Sequence, residues 1–326
     1  MTESKQEIVV TGINGFVGEH LARHLQASHY SVRGIGREIT PNKNVAPYLD
    51  NYQQADLLNK EQVDQLALRH AAAIIHLAGL ASVADSFNKP DLYKTGNAEM
   101  TDNLLSTAEN QGFEGRVVAV STGALYDPNQ PMPLNESSKT VENSPYATGK
   151  LRAEEIIKQH KANGLDVIIA RPFNHIGPGQ GAGFLVPDLY DQLISAQEKD
   201  SPTILVGNLS TKRDYTDVRD IVTAYTELAV ADSLAYDTYN IASGKSFSGF
   251  EILEYLKKAM DLESIEPLVD QSRVRPTDSP DIIGDSSRLK SELGWTVASN
   301  PNTAIIDFVA QRYEEFTDEA SKTQAK

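Results

Sequence analysis

Short apolar runs alternate with amphipathic stretches through the first half of the chain. β-branched and apolar runs are typical of strands buried in a sheet, and here they lie at 7–10, 30–35, 72–78, 116–121 and 165–172. Hydrophobic positions with a helical repeat predict the intervening helices, at 15–27, 60–69, 91–111 and 145–163. Alternating strands and helices predict an α/β fold, a doubly wound parallel sheet with helices on both faces.

The pattern loosens after Pro172, where glycine and proline crowd the stretch HIGPGQGAGFLVP. We predict a larger domain comprising 1–173 with about 218–245 returning to complete its sheet. A smaller C-terminal α/β domain for substrate binding is expected from about 174–217 and 246–316. The polar tail at 317–326 is expected to fray.

Composition narrows the classes of partner. The 326 residues, 40% of them hydrophobic, can bury a sizeable core, and the absence of cysteine excludes disulfides and thiolate metal sites. The N-terminal segment MTESKQEIVV predicts neither a signal peptide nor a membrane span, so we expect a cytoplasmic protein. We also expect no bound metal. The net charge of −15 argues against nucleic-acid or anionic-membrane partners, and any phosphate-bearing ligand needs local positive charge.

A glycine-rich turn joins the first predicted strand to the first helix. The stretch VVTGINGFVGEHLARHL places Gly12, Gly15 and Gly18 there. Such glycines allow a sharp turn and close approach to a pyrophosphate, which the helix N-terminus attracts. The spacing is one residue longer than the Rossmann fingerprint G-x-G-x-x-G, and a glycine turn without a ligand is the alternative. We predict a Rossmann-type dinucleotide site.

The end of the second strand predicts which dinucleotide binds. An acid there accepts the ribose 2′-hydroxyl of NAD, whereas a 2′-phosphate calls for arginine. In VRGIGRE the expected contact positions are Gly34 and Gly36, with Arg33 and Arg37 nearby, and the acid Glu38 comes late. This pattern favours NADP(H), with NAD(H) possible, unless both arginines are solvated loop charges.

A candidate catalytic group lies in the stretch SPYATGK. Ser144 is a helix cap and Pro145 the first helical residue, which places Tyr146 and Lys150 on one helix face. An ammonium ~5 Å from the phenol, at an effective dielectric of ~20, would lower the phenol pKa by about two units. Thr122 ends a predicted strand 24 residues before the tyrosine. Chance spacing and an ordinary strand-end turn are the alternatives.

Thr122, Tyr146 and Lys150 together resemble the triad of the extended short-chain dehydrogenase/reductase family, and the resemblance covers nearly the whole chain. It implies that Tyr146 donates or accepts a proton, that Lys150 holds the nicotinamide ribose and that Thr122 hydrogen-bonds the substrate oxygen. HLAGLASV resembles the family's loop under the cofactor. The implied cofactor contacts are Gly12, Asn14, Gly15, Phe16, Val17, Gly18, Arg37, Asp56, Leu57, Leu77, Ala78, Gly79, Asn97, Tyr146, Lys150, Pro172 and His175.

Three later stretches, 171–184, 206–225 and 275–295, resemble enzymes that act on GDP-linked hexoses. Arg213 and Arg275 could offer forked donors to a diphosphate, with a surface ion pair as the alternative for each. Asp278 could accept from ribose hydroxyls. The implied substrate contacts are Thr122, Ala124, Asn174, Val186, Arg213, Arg275 and Asp278.

The turn after Thr122 separates two kinds of chemistry. Dehydratases of this family carry a carboxylate base two positions beyond the threonine, where this chain has Ala124, preceded by Gly123. Neither residue can take a proton. The resemblance therefore implies reduction without elimination, with GDP-4-keto-6-deoxy-mannose converted to GDP-rhamnose by NADPH, or to its C4 epimer, a 6-deoxy-talose.

Two other functions are open. An NAD-dependent nucleotide-sugar 4-epimerase uses the same triad, and a non-catalytic, cofactor-sensing protein could share the fold. The resemblance also implies a homodimer formed through the helices at 91–111 and 145–163, although an apolar helix face could equally be buried within one subunit.

Overall fold

The computed structural model describes residues 5–274 and 279–324. The strands in these ranges are β1 (Glu7–Thr11), β2 (Ser31–Gly36), β3 (Asn51–Gln54), β4 (Ala73–His76), β5 (Arg116–Val120), β6 (Val167–Pro172), β7 (Asn174–Ile176), β8 (Thr203–Val206), β9 (Lys212–Asp217), β10 (Thr238–Ile241), β11 (Ser246–Ser248), β12 (Glu266–Val269) and β13 (Asp281–Ile282). The α-helices are α1 (Phe16–Ala27), α2 (Lys60–Asp64), α3 (Val83–Asn88), α4 (Pro90–Asn110), α5 (Pro145–Ala162), α6 (Leu185–Glu198), α7 (Val218–Val230), α8 (Gly249–Ala259), α9 (Ser287–Leu293) and α10 (Pro301–Gln324).

Seven strands form one parallel sheet in the order β3-β2-β1-β4-β5-β6-β10. The order reverses between β1 and β4, the kind of switch point where α/β sheets bind ligands. β10, from the segment 218–245, is the edge strand beside β6. The predicted Rossmann-type α/β fold is confirmed.

Apolar residues on both faces of this sheet are buried under helices. Along β1, Ile8 and Val10 join a core with α1 and α7, whereas Val9 joins a second core with α2, α4 and α5. Burial on both faces explains why the strand sequences are continuous apolar runs rather than alternating ones. Within the described ranges, no helix is long and apolar enough to cross a membrane.

The C-terminal part has its own core, built from α6, α8 and α10 around Leu193, Leu256 and Phe308. β9 pairs with β11, β13 and β7 in a small mixed sheet. Asp217 ends β9 and caps α7 by accepting from the Arg219 nitrogen at 2.8 Å. This direct connection links the small sheet to the large one.

Several elements differ from the sequence prediction. β3 was not predicted, because its residues NYQQ are polar; it is an edge strand, hydrogen-bonded on one side to β2. The helix predicted for 60–69 ends at Asp64. The predicted polar tail begins within α10, whose backbone is helical through Gln324, and its fraying stays a prediction.

Candidate active site

The predicted glycine turn lies between β1 and α1. Gly12 has a φ of +69°, and a Cβ there would lie 2.7 Å from the Ala78 nitrogen, so only glycine fits. The Gly15 nitrogen donates to the Gly12 carbonyl at 3.0 Å, and Gly18 packs against the Ile13 carbonyl. The resulting backbone cradle opens at a helix N-terminus, which suits the pyrophosphate of a dinucleotide.

Aromatic packing continues from this turn toward the C-terminal part. The Phe16 ring stacks on His175 with centroids 6.0 Å apart. Burial lowers the pKa of His175, whose Nδ1 is 3.1 Å from the Phe173 carbonyl. Val17 packs on the core below, and Pro172 ends β6 immediately before this region. The structure thus brings Phe16 and His175 together. Val17 lies beneath them, and Pro172 lies beside them in the chain.

The end of β2 carries an acid whose role the sequence analysis missed. Asn14 donates to Glu38 Oε2 at 2.7 Å, and the Tyr52 hydroxyl donates to the Glu38 carbonyl at 2.6 Å. The Asn14 amide holds the pKa of the Glu38 carboxyl below its usual range. These contacts bring the carboxylate back over Gly36, while Arg37 is exposed nearby. A carboxylate and a guanidinium therefore both border the expected adenosine ribose.

Two expectations at β2 are wrong. Arg33 is buried and donates to Glu7 Oε1 at 3.1 Å and to Gln53 at 3.2 Å, so it does not serve a phosphate. Gly34 packs against the Ile13 side chain inside the core and is not at the ligand surface. Arg33 and Gly34 lie within β2, paired with Val9 and Val10, and not at the carboxyl end of the strand.

The loop after β4 holds the predicted positions Leu77, Ala78 and Gly79. Asn97 on α4 fixes this loop: its Oδ1 accepts from the Leu80 nitrogen at 2.7 Å, and its Nδ2 donates to the Leu80 carbonyl at 3.2 Å. Gly79 lies directly beside the Asn97 amide. Asn97 is therefore a loop-fixing residue at the edge of the site.

Asp56 and Leu57 follow β3 at the carboxyl edge of the sheet. Asp56 Oδ1 accepts from the Leu58 nitrogen at 3.0 Å, and the Leu57 carbonyl accepts from Asn103 on α4 at 2.8 Å. The Leu57 side chain is buried. The hydrogen bonds fix a turn beside the adenosine end of the predicted cleft.

The structure brings the three predicted catalytic residues together. Ser144 caps α5, as predicted, so Tyr146 lies in its first turn. The Tyr146 phenol shares a hydrogen bond with Thr122. Lys150, one turn later, donates from Nζ to the Val120 carbonyl at 2.9 Å. Helix α5 therefore aligns a phenol and an ammonium with the end of β5.

Burial sets the protonation states of this group. It raises the pKa of Tyr146 to about 12, although the bond with Thr122 lowers it. Burial also lowers the pKa of Lys150 to about 8, an effect that Glu154 opposes. The shift of the phenol pKa is opposite to the predicted one, because burial outweighs the bond with Thr122. At neutral pH the site holds a protonated phenol beside a cationic lysine.

The turn after β5 carries no acidic side chain. Residues Gly123–Leu125 form a 3₁₀ turn in which the Ala124 nitrogen donates to Thr122 Oγ1 at 3.1 Å. Gly123 packs against the Phe173 ring, which leaves no room for a larger side chain. Ala124 itself is exposed toward the surface. The position of the family's elimination base thus has a methyl group.

Of the predicted sugar-end positions, Asn174 is exposed on β7. Val186 is different: its side chain is 1% exposed and packs in the C-terminal core. The side chain of Val186 therefore attaches α6 to this core, and a contact of Val186 with a substrate stays a prediction.

The predicted diphosphate contacts are only partly described. Arg213 lies on β9, and its Nη1 donates to the carbonyls of Lys212 at 2.7 Å and Ser279 at 2.9 Å. Arg275 and Asp278 lie outside the described residues. Of this predicted diphosphate site, the structure therefore describes only Arg213, which is bonded to two backbone carbonyls.

Sequence reasoning also missed a buried ion pair next to the catalytic helix. Glu154 lies one turn after Lys150, and Arg171 on β6 bonds its carboxylate through two nitrogens. The i, i+4 spacing from Lys150 is a signal that was available in the sequence. The partner Arg171 on β6 could not be predicted in this way, because the two residues meet only through the fold.

Fold and site together define a class. The chain belongs to the NAD dependent epimerase/dehydratase family, which matches residues 8–242. This membership confirms the predicted enzyme of short-chain dehydrogenase/reductase type.

Individual relatives extend over almost the full chain. GDP-6-deoxy-D-mannose reductase of Pseudomonas aeruginosa is 31% identical over 318 residues, covering 95% of this chain and 99% of the relative. GDP-6-deoxy-D-talose 4-dehydrogenase of Aggregatibacter actinomycetemcomitans is 30% identical over 305 residues, covering 92% and 96%. The solved structure of RMD from Pseudomonas aeruginosa complexed with NADPH has a TM-score of 0.81 at 29% identity, covering 94% of this chain and 98% of that chain.

Proposed function

We propose that the protein reduces the C4 ketone of a GDP-linked 4-keto-6-deoxyhexose with NADPH. The observation that carries this proposal is the Thr122, Tyr146 and Lys150 group beside a turn with Ala124 at the position of the family's elimination base. Two relatives whose names refer to GDP-linked 6-deoxyhexoses support the substrate class. The substrate we favour is GDP-4-keto-6-deoxy-mannose.

The chain offers a complete set of groups for a dinucleotide. The Gly12 to Gly18 turn would hold the pyrophosphate, and Lys150 would hold the nicotinamide ribose. Arg37 supports NADP(H), as does the solved relative complexed with NADPH. The Glu38 carboxylate over Gly36 favours use of NAD(H) as well. When bound, the reduced dinucleotide supplies a hydride to the carbonyl carbon.

The protein's side chains supply the proton. Tyr146 is protonated at neutral pH and would donate its phenolic proton to the oxygen at C4 as that oxygen gains negative charge. Thr122 would orient the same oxygen through its hydroxyl. The Lys150 cation would stabilise the negative charge left on the phenol. A buried phenol that holds its proton suits a reduction better than the initial oxidation of an epimerase.

The C4 configuration of the product follows from the sugar face that receives the hydride. GDP-rhamnose is the product we favour, supported by the reductase relative. The second relative's name contains GDP-6-deoxy-D-talose, which supports the C4 epimer at nearly the same identity. NMR of the purified product distinguishes the two.

We also propose a homodimer formed through the outer faces of α4 and α5. These helices pack on each other within the chain, and Leu92 on α4 is 42% exposed. An exposed apolar side chain on a long helix suits an interface. Light scattering should give twice the chain mass of 35.7 kDa; a single chain mass would contradict the dimer.

The test is NADPH consumption with a panel of substrates and cofactors. Purified protein is mixed with GDP-4-keto-6-deoxy-mannose and NADPH, with NADH and the dTDP-linked keto sugar in parallel. Rapid loss of NADPH absorbance with the GDP sugar is the expected result. Loss only with the dTDP sugar would contradict the nucleotide assignment. No loss with any pair, together with tightly bound NAD in the purified protein, would replace the reductase by an epimerase.

A further inference from the structure

Three positions of α5, each one turn apart, bond to three consecutive residues at the end of β5. Tyr146 shares a hydrogen bond with Thr122, and Lys150 donates to the Val120 carbonyl at 2.9 Å. The third position is Glu154, which bonds to the residue between those two. The helix and the strand end are therefore fastened at three successive points, of which the first two carry the proposed chemistry.

The third contact is entirely buried. Glu154 Oε1 accepts from the Ser121 hydroxyl at 2.7 Å and from Arg171 Nε at 2.8 Å, and Oε2 accepts from Arg171 Nη2 at 2.5 Å. Glu154 is 1% exposed, and Ser121 and Arg171 are each 6% exposed. A carboxylate with three charge-assisted or hydroxyl donors and no access to water has a single strongly preferred position.

The same arginine fixes the other side of the threonine turn. Arg171 Nη1 donates to the Tyr126 hydroxyl at 2.9 Å, and that hydroxyl donates to Asn240 Oδ1 on β10 at 2.7 Å. Tyr126 and Asn240 are both buried. Thr122 is thus bracketed by Ser121 before it and Tyr126 after it, and both are bonded to the Glu154 and Arg171 pair.

We propose that Glu154 is a positioning residue of the active site, fastening α5 to the turn that carries Thr122 and directing its negative charge toward the Lys150 ammonium. This inference rests on the proposed function, since it assigns the geometry of the group that performs the reduction. A structural ion pair would contribute only to stability. A positioning residue also sets the pH range in which the group acts.

The groups around Lys150 explain the expected pH effect. Burial lowers the pKa of Lys150, and the Glu154 carboxylate opposes that change. From β4, His76 is neutral because burial lowers its pKa to about 3. Tyr146 on the same helix is also neutral below its pKa of about 12, and Arg171 on β6 is paired with Glu154. Removing the Glu154 charge should therefore let Lys150 lose its proton at lower pH.

The experiment compares Glu154→Gln with the double variant Glu154→Gln/Arg171→Gln. The single variant leaves a buried guanidinium unpaired and is expected to unfold at lower temperature. The double variant removes both charges, so its melting temperature should return toward that of the wild type. In both, kcat/KM should fall about fivefold to tenfold relative to wild type above pH 8 and less than about threefold near pH 6.

A second readout does not require turnover. The affinity for NADPH is measured from NADPH fluorescence between pH 6 and 9. As the pH rises, this affinity should begin to fall at a lower pH in both variants than in wild type. If wild type fails to reduce the GDP sugar, the proposed function fails, while this binding profile still tests Glu154.

The matched control is Glu7→Gln, which removes the carboxylate from another buried arginine, Arg33, at the amino end of β1. It should lower the melting temperature and leave both pH profiles unchanged. A double variant with the wild-type pH profiles would overturn the inference and leave Glu154 as a structural ion pair. The same shift in Glu7→Gln would also overturn it.

Discussion

At the scale of single residues, we propose that Tyr146 donates the proton that completes the reduction. Its phenol is buried and bonded to Thr122, so it holds its proton at neutral pH. We predict that Tyr146→Phe lowers kcat about 10³-fold, since a positioned proton donor contributes ~10²–10⁴-fold. NADPH affinity should be unchanged. Tyr190→Phe, which alters a buried tyrosine of the C-terminal core, is the control and should stay active; a Tyr146→Phe variant with a tenth of wild-type activity would contradict the assignment.

Lys150 is predicted to set the alkaline limit of activity. Its pKa is lowered to about 8 by burial, so the ammonium is present below that pH and is lost as the pH rises through it. We predict that kcat/KM is level from about pH 6 to 7 and falls above pH 8. The measurement is a pH profile with the melting temperature followed in parallel. Activity that is level to pH 10 would show that the charge of Lys150 is not needed.

Glu38 is predicted to govern the choice between the two dinucleotides. Its carboxylate lies over Gly36, where it can accept a ribose hydroxyl and repels a 2′-phosphate. Glu38→Gln should tighten NADPH and weaken NADH, changing the ratio of their dissociation constants about tenfold. Arg37→Gln is the paired variant and should change that ratio in the opposite direction. An unchanged ratio in Glu38→Gln would exclude the carboxylate from the ribose site.

Residues could be assigned from the sequence where their relation is local. The spacing of Tyr146 and Lys150 predicts that they share a helix face, and their position at the start of a helix after Thr122 strengthens the prediction. Glu38 lies beyond the sequence position where the ribose-binding acid is expected. Only the fold shows that Asn14 bonds its carboxylate and brings it back over Gly36. Arg33 was misassigned since its partner Glu7 lies on a neighbouring strand. Contacts between distant segments are not encoded in any short pattern.

At the scale of elements, the contact of α4 with α5 depends on Gly149. A Cβ at Gly149 would lie 1.9 Å from the Tyr93 carbonyl oxygen, a backbone atom that cannot turn aside. We predict that Gly149→Ala lowers the free energy of unfolding by ~2 kcal/mol and reduces kcat, because α5 carries the catalytic pair. Denaturant unfolding is the measurement. Gly181→Ala, where a Cβ would meet open space, should be neutral; equal stability of both variants would contradict the close contact.

Elements buried on both faces were predictable, and those at edges were not. The apolar runs of β1, β4, β5 and β6 predict buried strands, and these strands are buried in the structure. β3 pairs only with β2 and is half exposed, so its polar residues carry no strand signal. The short helix α3 was missed for a similar reason, since only Ser86 of its six residues is buried. The hydrophobic pattern therefore predicted the elements that are buried, and it missed those that are largely exposed.

The whole molecule places its chemistry at one edge of the large sheet. The carboxyl ends of β1, β4, β5 and β6 carry the glycine turn, the cofactor loop and the catalytic turn. The C-terminal part is attached through β7, β9 and α7, and it carries Asn174 on β7 and Arg213 on β9. The anionic nucleotide sugar that we propose as substrate would need local positive groups to bind a protein whose net charge is −15.

The central claim is that the site reduces a C4 ketone and cannot eliminate water, and deuteride transfer tests it directly. The enzyme is given GDP-4-keto-6-deoxy-mannose and NADPH that carries deuterium at both C4 positions, and the product is analysed by NMR. We predict one deuterium at sugar C4 and none at C6. Keto sugar that stays unreduced would contradict the proposed reduction. In a parallel sample, conversion of GDP-mannose to a 4-keto-6-deoxy sugar in the presence of NADP⁺ would reveal elimination of water; either result would contradict the account.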